Sequence, residues 1–490
     1  MSKKHINFLI TGLFLCISSF LLTGESPAFS FLVSPSKVEL ICEPSGKITF
    51  NLRVINTEKR SQGFKVYLTD LRLTREGKLQ FPFPGKEKRS CAEWIEVKPS
   101  KFFLQPFETE TVLCSVNVQE GYEGELYATV MVESEEKALF RVAVPVFLLI
   151  KGKELVKKVS FLPVKVEKSF NKNVLQFTVP VKNEGNVRLK VEGRARIRDK
   201  WGRVWFEFPL TSRGGTIFPE SIRYLKANIK ESLLLARCFL EISIAYKSSY
   251  ENKTTKTMAI FPFDLENWSA DSISLYPLPF VVNPSLIVIN SASKKKSAFV
   301  EISSVKGTNS LSFRASLNPS PNSCRVEVVP EEFVVLPGER RKVRLNINIP
   351  DNPQGSYYQR VIFHGAEAEK ASLSYGVTIF TLSDKPRRKC HLLSLKVEDD
   401  IQPQLVLRLK NPEDAFVKIK GIINMEDERG MNLLKHRPFD QGEFLVFPGE
   451  VVNLTAALPH KISPGNYIVY LKIFSGEKQI LQTKKKITIK

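Results

Sequence analysis

Short runs of alternating apolar and polar residues cover almost the whole chain, and this period of two restricts the fold more than any other feature. Residues 49–54 and 343–349 show it clearly, because Val, Ile, Leu or Phe occupies every second position. Gly, Pro, Asn and Asp clusters separate the runs at the spacing of about eight to twelve residues that is typical of β-sandwiches. No long window has helical periodicity. We therefore predict an all-β chain.

A first internal repeat relates two distant parts of the chain. Moving residues 96–132 forward by 231 positions, without a gap, keeps the apolar alternation in phase. A shift of one residue would exchange the core and solvent faces of a strand, so the shared phase predicts shared strands. The identical residues are Glu96, Val97, Pro99, Phe102, Pro106, Glu108, Val112, Asn117, Gly124, Tyr127 and Val130, which recur as Glu327, Val328, Pro330, Phe333, Pro337, Glu339, Val343, Asn348, Gly355, Tyr358 and Val361.

A second repeat has a different pattern and an offset of 228 positions. Each copy ends in an Asp-x-x-Gly sequence, a spacing typical of a hairpin turn with a glycine at positive φ. We therefore predict equivalent hairpins closed by Gly202 and Gly430. The repeated residues are Asn183, Lys190, Gly193, Asp199 and Gly202, which recur as Asn411, Lys418, Gly421, Asp427 and Gly430.

The two repeats alternate along the chain and give the order A, B, A′, B′. The predicted domains are residues 31–152, 153–265, 266–386 and 387–490. Each has the size of one immunoglobulin-like sandwich. The sequence thus predicts four tandem immunoglobulin-like β-sandwich domains, arranged as a duplicated pair.

Residues 1–30 have the pattern of a signal peptide. Lys3, Lys4 and His5 precede an apolar stretch, and Ala28-Phe29-Ser30 is a small-x-small cleavage site. The alternative is a retained membrane anchor, but the apolar stretch is short and broken for a span of about 20 residues. We expect export to the periplasm or the extracellular space, with no stable membrane span after cleavage.

The net charge of +21 suggests acidic partners. Export argues against nucleic acid, which leaves anionic glycans or membrane headgroups. The alternative is a Lys-rich solvated surface, because the basic residues are scattered along the chain.

Six cysteines remain after residue 30, with three in domain A and one in each later domain. This is no dense disulfide framework. At most one disulfide is expected, in domain A and with Cys42 as a member. The alternative is that all six are free, buried thiols.

The sequence contains no catalytic constellation. No His lies at metal-ligand spacing from a Cys or another His, and there is no Gly-x-Ser-x-Gly elbow or Cys-x-x-Cys pair. Asp399-Asp400 and Glu426-Asp427-Glu428 fit turns or strand edges on a β protein. We predict a protein that is not an enzyme and has no cofactor and no metal site.

Domain A has a layout similar to a known family. It opens with Val33-Ser34-Pro35 and alternates through residues 37–40, and residues 50–56 form the next run. Trp94 to Pro99, residues 102–106 and Gly124 to Tyr127 follow, and the domain closes with the apolar strand from Phe140 to Ile150. This order resembles the N-terminal domain of periplasmic pilus-assembly chaperones. Domain B, with Asn183-Gly185-Asn186 in a turn, is similar to their second domain.

The resemblance implies an L-shaped pair of sandwiches that binds pilus or surface subunits. Such chaperones donate the last strand of their first domain to a subunit's open sheet. They hold the subunit's terminal carboxylate with an arginine and a lysine. Here the first strand offers Lys37, and Phe147 stands where the lysine is expected, with Lys151 near the strand's end.

The strand from Phe140 to Ile150 is the candidate contact with a protein partner. Both of its faces are apolar, and Pro145 cannot donate a ladder hydrogen bond, so we predict a position at or near a sheet edge. The alternative is that its second face packs inside the chain. The candidate partner-binding residues are Val142, Val144, Val146, Leu148, Lys151 and Lys37.

These observations predict an exported, non-enzymatic protein that binds or assembles protein partners through strand edges or sandwich surfaces. Two other functions fit the same sequence. One is a cell-surface adhesin or glycan-binding protein that uses loops and the basic surface. The other is a structural spacer.

Overall fold

The computed structural model describes residues 30–489 with short gaps, and residues 1–29 of the predicted signal peptide (residues 1–30) lie outside it. The described part is built from 38 strands and one 3-10 helix, Ala92–Trp94, which confirms the all-β prediction. None of its helices could span a membrane. The gaps are residues 136–139, 153–154, 170–173, 200, 231–236, 265–267, 269–270, 291–294, 306–308, 319–323, 350–356, 367–372, 383–388, 399–402, 414–415, 440–441 and 460–461.

The first sandwich consists of two facing sheets with a shared apolar core. One sheet has the strand order β1-β3-β9-β7 and the other β2-β11-β10-β4-β8, while β5 and β6 form a separate hairpin. The strands are β1 Phe31–Ser34, β2 Val38–Cys42, β3 Lys47–Asn56, β4 Gln62–Thr69, β5 Arg72–Leu73, β6 Leu79–Gln80, β7 Ile95–Lys98, β8 Lys101–Leu104, β9 Thr109–Asn117, β10 Gly124–Ser134 and β11 Arg141–Ile150.

The second sandwich has sheets of order β12-β14-β13-β21, with β18 also on β14, and β16-β15-β19-β20, with β17 on β15. Its last strand, β21, lies beyond residue 265, where the sequence placed the domain boundary. The strands are β12 Val159–Phe161, β13 Val164–Lys168, β14 Val174–Asn183, β15 Leu189–Arg198, β16 Val204–Leu210, β17 Thr216–Ile217, β18 Ile222–Lys230, β19 Arg237–Ser248, β20 Thr255–Asp264 and β21 Ser272–Leu275.

The third sandwich repeats the first, strand for strand. Its sheets have the orders β22-β24-β28-β26 and β23-β30-β29-β25-β27. It lacks only a counterpart of the β5–β6 hairpin among the described residues. The strands are β22 Phe280–Asn283, β23 Leu286–Asn290, β24 Lys295–Ser304, β25 Leu311–Asn318, β26 Arg325–Val329, β27 Glu332–Val335, β28 Arg340–Asn348, β29 Tyr357–Ala366 and β30 Leu373–Leu382.

The fourth sandwich has the strand pattern of the second, without counterparts of β12 and β21 among the described residues. Its sheets have the orders β31-β32-β36 and β34-β33-β37-β38, with β35 on β33. The topology thus confirms four tandem immunoglobulin-like sandwiches in the order A, B, A′, B′. The strands are β31 His391–Glu398, β32 Gln404–Lys410, β33 Val417–Asp427, β34 Asn432–Pro438, β35 Phe444–Val446, β36 Val451–Ala457, β37 Gly465–Ser475 and β38 Lys478–Ile489.

The chain forms two compact units. The first runs to Lys158 and includes Asn183–Leu189 and Ile217–Ser221, and the second holds the rest of the chain. In the first unit, inward residues such as Leu52, Val112 and Leu148 form the core. Separate cores lie in the third and fourth sandwiches of the second unit.

The two predicted hairpin glycines close equivalent turns. Gly202 has a φ of 80° and Gly430 one of 79°. The N–H of Gly202 donates to the carbonyl of Asp199, and that of Gly430 to Asp427, each at 3.0 Å. Both aspartate side chains also accept backbone N–H groups of the turn. The prediction from the Asp-x-x-Gly spacing is confirmed.

One further turn recurs in all four sandwiches, although only part of it shows in the sequence repeats. Its four residues have Pro second and a positive φ third, the geometry of a type II turn. The carbonyl of the last turn residue accepts a backbone hydrogen bond of 3.0 Å in each sandwich. The donor is an N–H group at the end of a strand or just after it, and it belongs to Asn56, Asn183, Ser304 or Asn411. The turns are residues 105–108, 218–221, 336–339 and 447–450, with positive φ at Phe107, Glu220, Gly338 and Gly449.

The expected disulfide in the first domain is wrong, and the alternative of free thiols is confirmed. All six cysteines from Cys42 to Cys390 are free and buried. Cys42, for example, lies on β2 with its side chain toward the core. Burial raises the pKa of the Cys114 thiol to about 12, because a thiolate is poorly solvated in an apolar core.

Candidate functional site

Strand β11 is a central strand along one half and an edge strand along the other. It pairs with β10 over its whole length, from Arg141 to Ile150. On its other side, β2 pairs with it in parallel, but only from Val146 to Ile150. Arg141–Pro145 therefore has no second neighbouring strand within the described ranges, as the position of Pro145 predicted.

Hydrogen bonds at the two ends of β11 show which backbone groups face this open edge. The carbonyl of Phe140 accepts from Ser134 on the β10 side, and the N–H of Lys151 donates to Cys42 on the β2 side. Polar groups of successive residues point to opposite sides of a strand. The N–H groups of Arg141 and Ala143 therefore point to the open edge. Position 145 faces the same edge, so the missing N–H of Pro145 removes no hydrogen bond to β10.

The side chains proposed to bind a partner face inward instead. Val144, Val146 and Leu148 are fully buried in the first core. Val142 is half-buried against the same core. The prediction that these residues bind a partner stays a prediction, but in this conformation the side chains of Val144, Val146 and Leu148 are not accessible to one.

The second face of β11 is covered near its C-terminal end by residues of the first unit. The ring of Phe147 lies 5.9 Å from that of Tyr127 and 6.3 Å from that of Phe218, centroid to centroid. Tyr127 stacks on Phe218 at 4.2 Å. In this half of the strand the second apolar face packs inside the chain, as the alternative interpretation stated.

A buried ion-pair network lies beside these rings. Glu125 is fully buried, and its Oε1 is 2.9 Å from Nη1 of Arg188. The other carboxylate oxygen accepts the backbone N–H of Arg188 at 2.7 Å and the Tyr127 hydroxyl at 3.0 Å. Arg188 also pairs with Glu39 of β2. Through Arg188, the network links β2 and β10, the two strands that flank β11. No sequence pattern indicated it, because its members are far apart along the chain.

The two lysines of the implied carboxylate site do not converge. Lys37 lies next to Val38, which is paired with Val146, so it lies level with Pro145 at the open edge. Lys151 follows the other end of β11, roughly 20 Å away at the rise of a strand. Lys37 pairs with Glu39 at 3.3 Å, and Lys151 with Glu43 at 2.7 Å. Its hydrogen bond to Glu43 raises the pKa of Lys151.

Strand β30 repeats this arrangement in the second unit. It pairs with β23 only from Thr378 to Leu382, which leaves Leu373–Val377 without a second strand among the described residues. Tyr358, Phe380 and Phe447 occupy the positions of Tyr127, Phe147 and Phe218. Phe416 takes the position of Arg188 and packs on Phe380 at 4.9 Å. An aromatic ring here replaces the ion pair of the first copy.

The described residues hold no group of three or more His, Cys, Asp or Glu side chains that could bind a metal ion. The geometry that is present is a backbone edge, held in place by a buried network.

No family model and no curated protein matches the chain. The solved structures similar to it include pilus-assembly chaperones, the family that the sequence resembles. The class 5 fimbriae chaperone CfaA is 14% identical, with a TM-score of 0.29, over 46% of this chain and 98% of its own. The chaperone–tip adhesion subunit complex CsuC–CsuE of Acinetobacter baumannii has the same identity and score, over 46% and 97%.

A more distant similarity is to a PapD-like domain of human CEP192. It is 9% identical, with a TM-score of 0.20, over 27% of this chain and 93% of that domain. At these scores, the assignment of immunoglobulin-like sandwiches rests on the strand orders of the chain itself.

Proposed function

We propose that the chain is a non-enzymatic protein that binds an extended segment of a protein partner along the open edge of β11. The observation that carries this proposal is the one-sided pairing of Arg141–Pro145, beside a half of the same strand that is paired on both sides. Unpaired strand edges accept a further strand through main-chain hydrogen bonds. Pilus-assembly chaperones, which the chain resembles, act on protein subunits, and we propose the same class of partner.

The edge is short but prearranged. Val144, Val146 and Leu148 hold β11 in the core, and the Glu125–Arg188 pair holds its neighbours. A partner strand would therefore meet backbone donors that need no ordering, which lowers the entropic cost of binding. Lys37, with its side chain 63% exposed at the end of this edge, would favour an acidic group on the partner.

Site-specific photo-crosslinking tests the contact. A benzoylphenylalanine in place of Lys37 lies beside the open edge. The matched control replaces Lys98, a similarly exposed lysine on β7 in the opposite sheet. In an envelope extract of the exporting cell, we expect defined crosslinked proteins from position 37 and none of them from position 98.

Two proline substitutions then test the backbone. Ala143→Pro removes an N–H that points to the open edge without removing a donor toward β10, and Ala143→Val keeps that N–H. We expect the first to abolish the crosslinks and the second to keep them, with unchanged circular dichroism. Arg141→Pro, at the first residue of the strand where proline is tolerated, is the second test if Ala143→Pro fails to fold. Crosslinks that survive in a folded proline variant would rule out strand addition at this edge.

A further inference from the structure

One segment of the first sandwich has no counterpart of similar length in the third. Residues 70–94 connect β4 to β7, whereas residues 319–324 make the equivalent connection in the third sandwich. The third sandwich has the same strand orders without it. Segments that a fold can omit are often retained for function. We call residues 70–91 the insertion.

The insertion has a fixed conformation around one buried carboxylate. Asp70 is fully buried, and it accepts the N–H of Gly85 at 3.1 Å and that of Glu87 at 2.6 Å. The hydroxyl of Ser90 donates to the same carboxylate. The backbone N–H of Asp70 donates to the carbonyl of Pro82 at 2.9 Å. The stretch from Pro82 to Ser90 is thus held at both ends.

This frame presents apolar side chains to solvent. Phe83 is 81% exposed, Leu79 51% and Phe81 38%. They follow one another within five residues, and Pro82 and Pro84 stand between and after them. None of these side chains has a polar group that could hydrogen-bond a sugar hydroxyl. Exposed apolar clusters on a rigid loop indicate an apolar partner.

Cationic residues surround the cluster. The insertion has six basic and three acidic residues, a net charge of +3. Arg72 pairs with Glu87, and Arg89 pairs with Glu220 of the same unit. Lys78 and Lys86, both exposed, flank the apolar residues on either side. An apolar tip inside a basic rim is complementary to a bilayer whose headgroups are anionic.

We propose that the insertion is a peripheral membrane contact that places Phe81 and Phe83 among the acyl chains of an anionic lipid surface. Lys78 and Lys86 would meet the headgroups. The braced backbone means that little conformational entropy is lost when the tip inserts. The proposal does not depend on the edge of β11, which shares no residue with the insertion.

Vesicle co-sedimentation of the purified chain tests the proposal. We use vesicles of phosphatidylcholine alone and vesicles of phosphatidylcholine and phosphatidylglycerol in equal amounts. We expect binding to the anionic vesicles that weakens as salt rises. The double variant Phe81→Ser/Phe83→Ser should lower the partition coefficient by about tenfold or more, because two buried rings are lost. Lys78→Glu/Lys86→Glu should reduce it similarly.

Two matched controls separate the insertion from the general basic charge of the chain. Phe103→Ser removes a ring that is 74% exposed on β8 of the same sandwich, and Lys295→Glu/Lys296→Glu reverses two positive charges on β24. Both controls should bind within about twofold of the parent chain. Two results would show adsorption by charge alone and overturn the proposal. One is an equal loss of binding in the controls, and the other is unchanged binding of the Phe81→Ser/Phe83→Ser variant.

A Phe83→Trp variant gives a second readout. Its added fluorescence should shift to shorter wavelength with anionic vesicles, since the indole would leave water. Fluorescence that stays at the solvent wavelength in bound protein would also overturn the proposal.

Discussion

At the residue scale, the four type II turns use different residues for one backbone conformation. Gly338 and Gly449 take positive φ without a Cβ, whereas Phe107 and Glu220 take it as L-residues. The left-handed region costs an L-residue roughly 1–2 kcal/mol in steric crowding. Glu220 has an ion pair with Arg89 at 2.7 Å, while the Phe107 side chain is 65% exposed. Phe107 therefore has the same backbone strain as Glu220 but no ion pair to offset it.

Replacing Phe107 with Gly is expected to stabilise the first unit by up to about 1 kcal/mol, because the steric crowding is removed and little packing is lost. Urea unfolding of the parent and variant measures the difference. Gly338→Ala is the matched control and should destabilise the third sandwich by about the same amount. A Phe107→Gly variant that is clearly less stable would mean that the ring makes a contact worth more than the strain.

Gly202 and Gly430 share a turn but not an environment. A Cβ at Gly202 would lie 2.4 Å from the carbonyl oxygen of Ser285, whereas one at Gly430 would meet nothing within 4 Å. Gly430→Ala should therefore cost about 1 kcal/mol for positive φ alone. Gly202→Ala should cost clearly more, since backbone must also move. Thermal unfolding of the two variants measures this, and equal losses would contradict the close approach at Gly202.

At the element scale, β11 shows how the same strand can be both core and edge. Its inward side chains are buried along most of its length, but its backbone has a second partner only where β2 runs beside it. The point where β2 begins, at Val38, therefore decides how much of the strand stays open. The Glu125–Arg188 pair and the ring of Phe147 hold β2, β10 and β11 together behind that point, with the Arg188 guanidinium carbon 3.8 Å from the ring centroid.

The second copy of this element suggests that the ion pair can be replaced by apolar groups. Glu125→Ala alone should destabilise the first unit by up to about 3–5 kcal/mol, because it removes the fully buried carboxylate that pairs with Arg188, while the more exposed Glu39 remains as a partner. The double variant Glu125→Leu/Arg188→Phe, which copies Phe416, should recover most of that loss. Urea unfolding of Glu125→Leu, Arg188→Phe and the double variant closes the cycle. A double variant as unstable as Glu125→Ala would show that the pair itself is required.

At the scale of the whole molecule, one type of turn recurs in all four sandwiches, and two strand patterns alternate along the chain. Each sandwich buries its own thiols, with Cys114 in the first, Cys324 in the third and Cys390 in the fourth. Burial raises the pKa of Cys324 to about 11 and that of Cys390 to about 11. In each of these sandwiches, the buried thiol should therefore lower the free energy of unfolding as the pH becomes alkaline.

The folded chain holds these thiol protons more tightly than the unfolded chain, whose thiols have the ordinary pKa of 9.0. Stability from this source is complete below pH 9 and is lost as the pH rises toward the folded-state pKa values. We expect the free energy of unfolding to fall between pH 9 and 10, by up to about 1.4 kcal/mol per pH unit for each thiol. Urea unfolding across this range measures the slope. Cys390→Ala should reduce the slope for the fourth sandwich, and an unchanged slope would exclude the thiol as its source.

The sequence alone determined the all-β class, the phase of the repeated strands and the hairpins at Gly202 and Gly430. These are local properties, because alternation, turn residues and glycine φ depend on neighbours along the chain. It could not determine which edge of β11 is covered by another strand. The parallel partner β2 comes from about a hundred residues earlier, and alternation shows which face of a strand is buried but not which strand lies beside it. The Glu125–Arg188 pair, the free thiols and the Asp70 brace of the insertion likewise depend on distances that exist only after the sheets have packed.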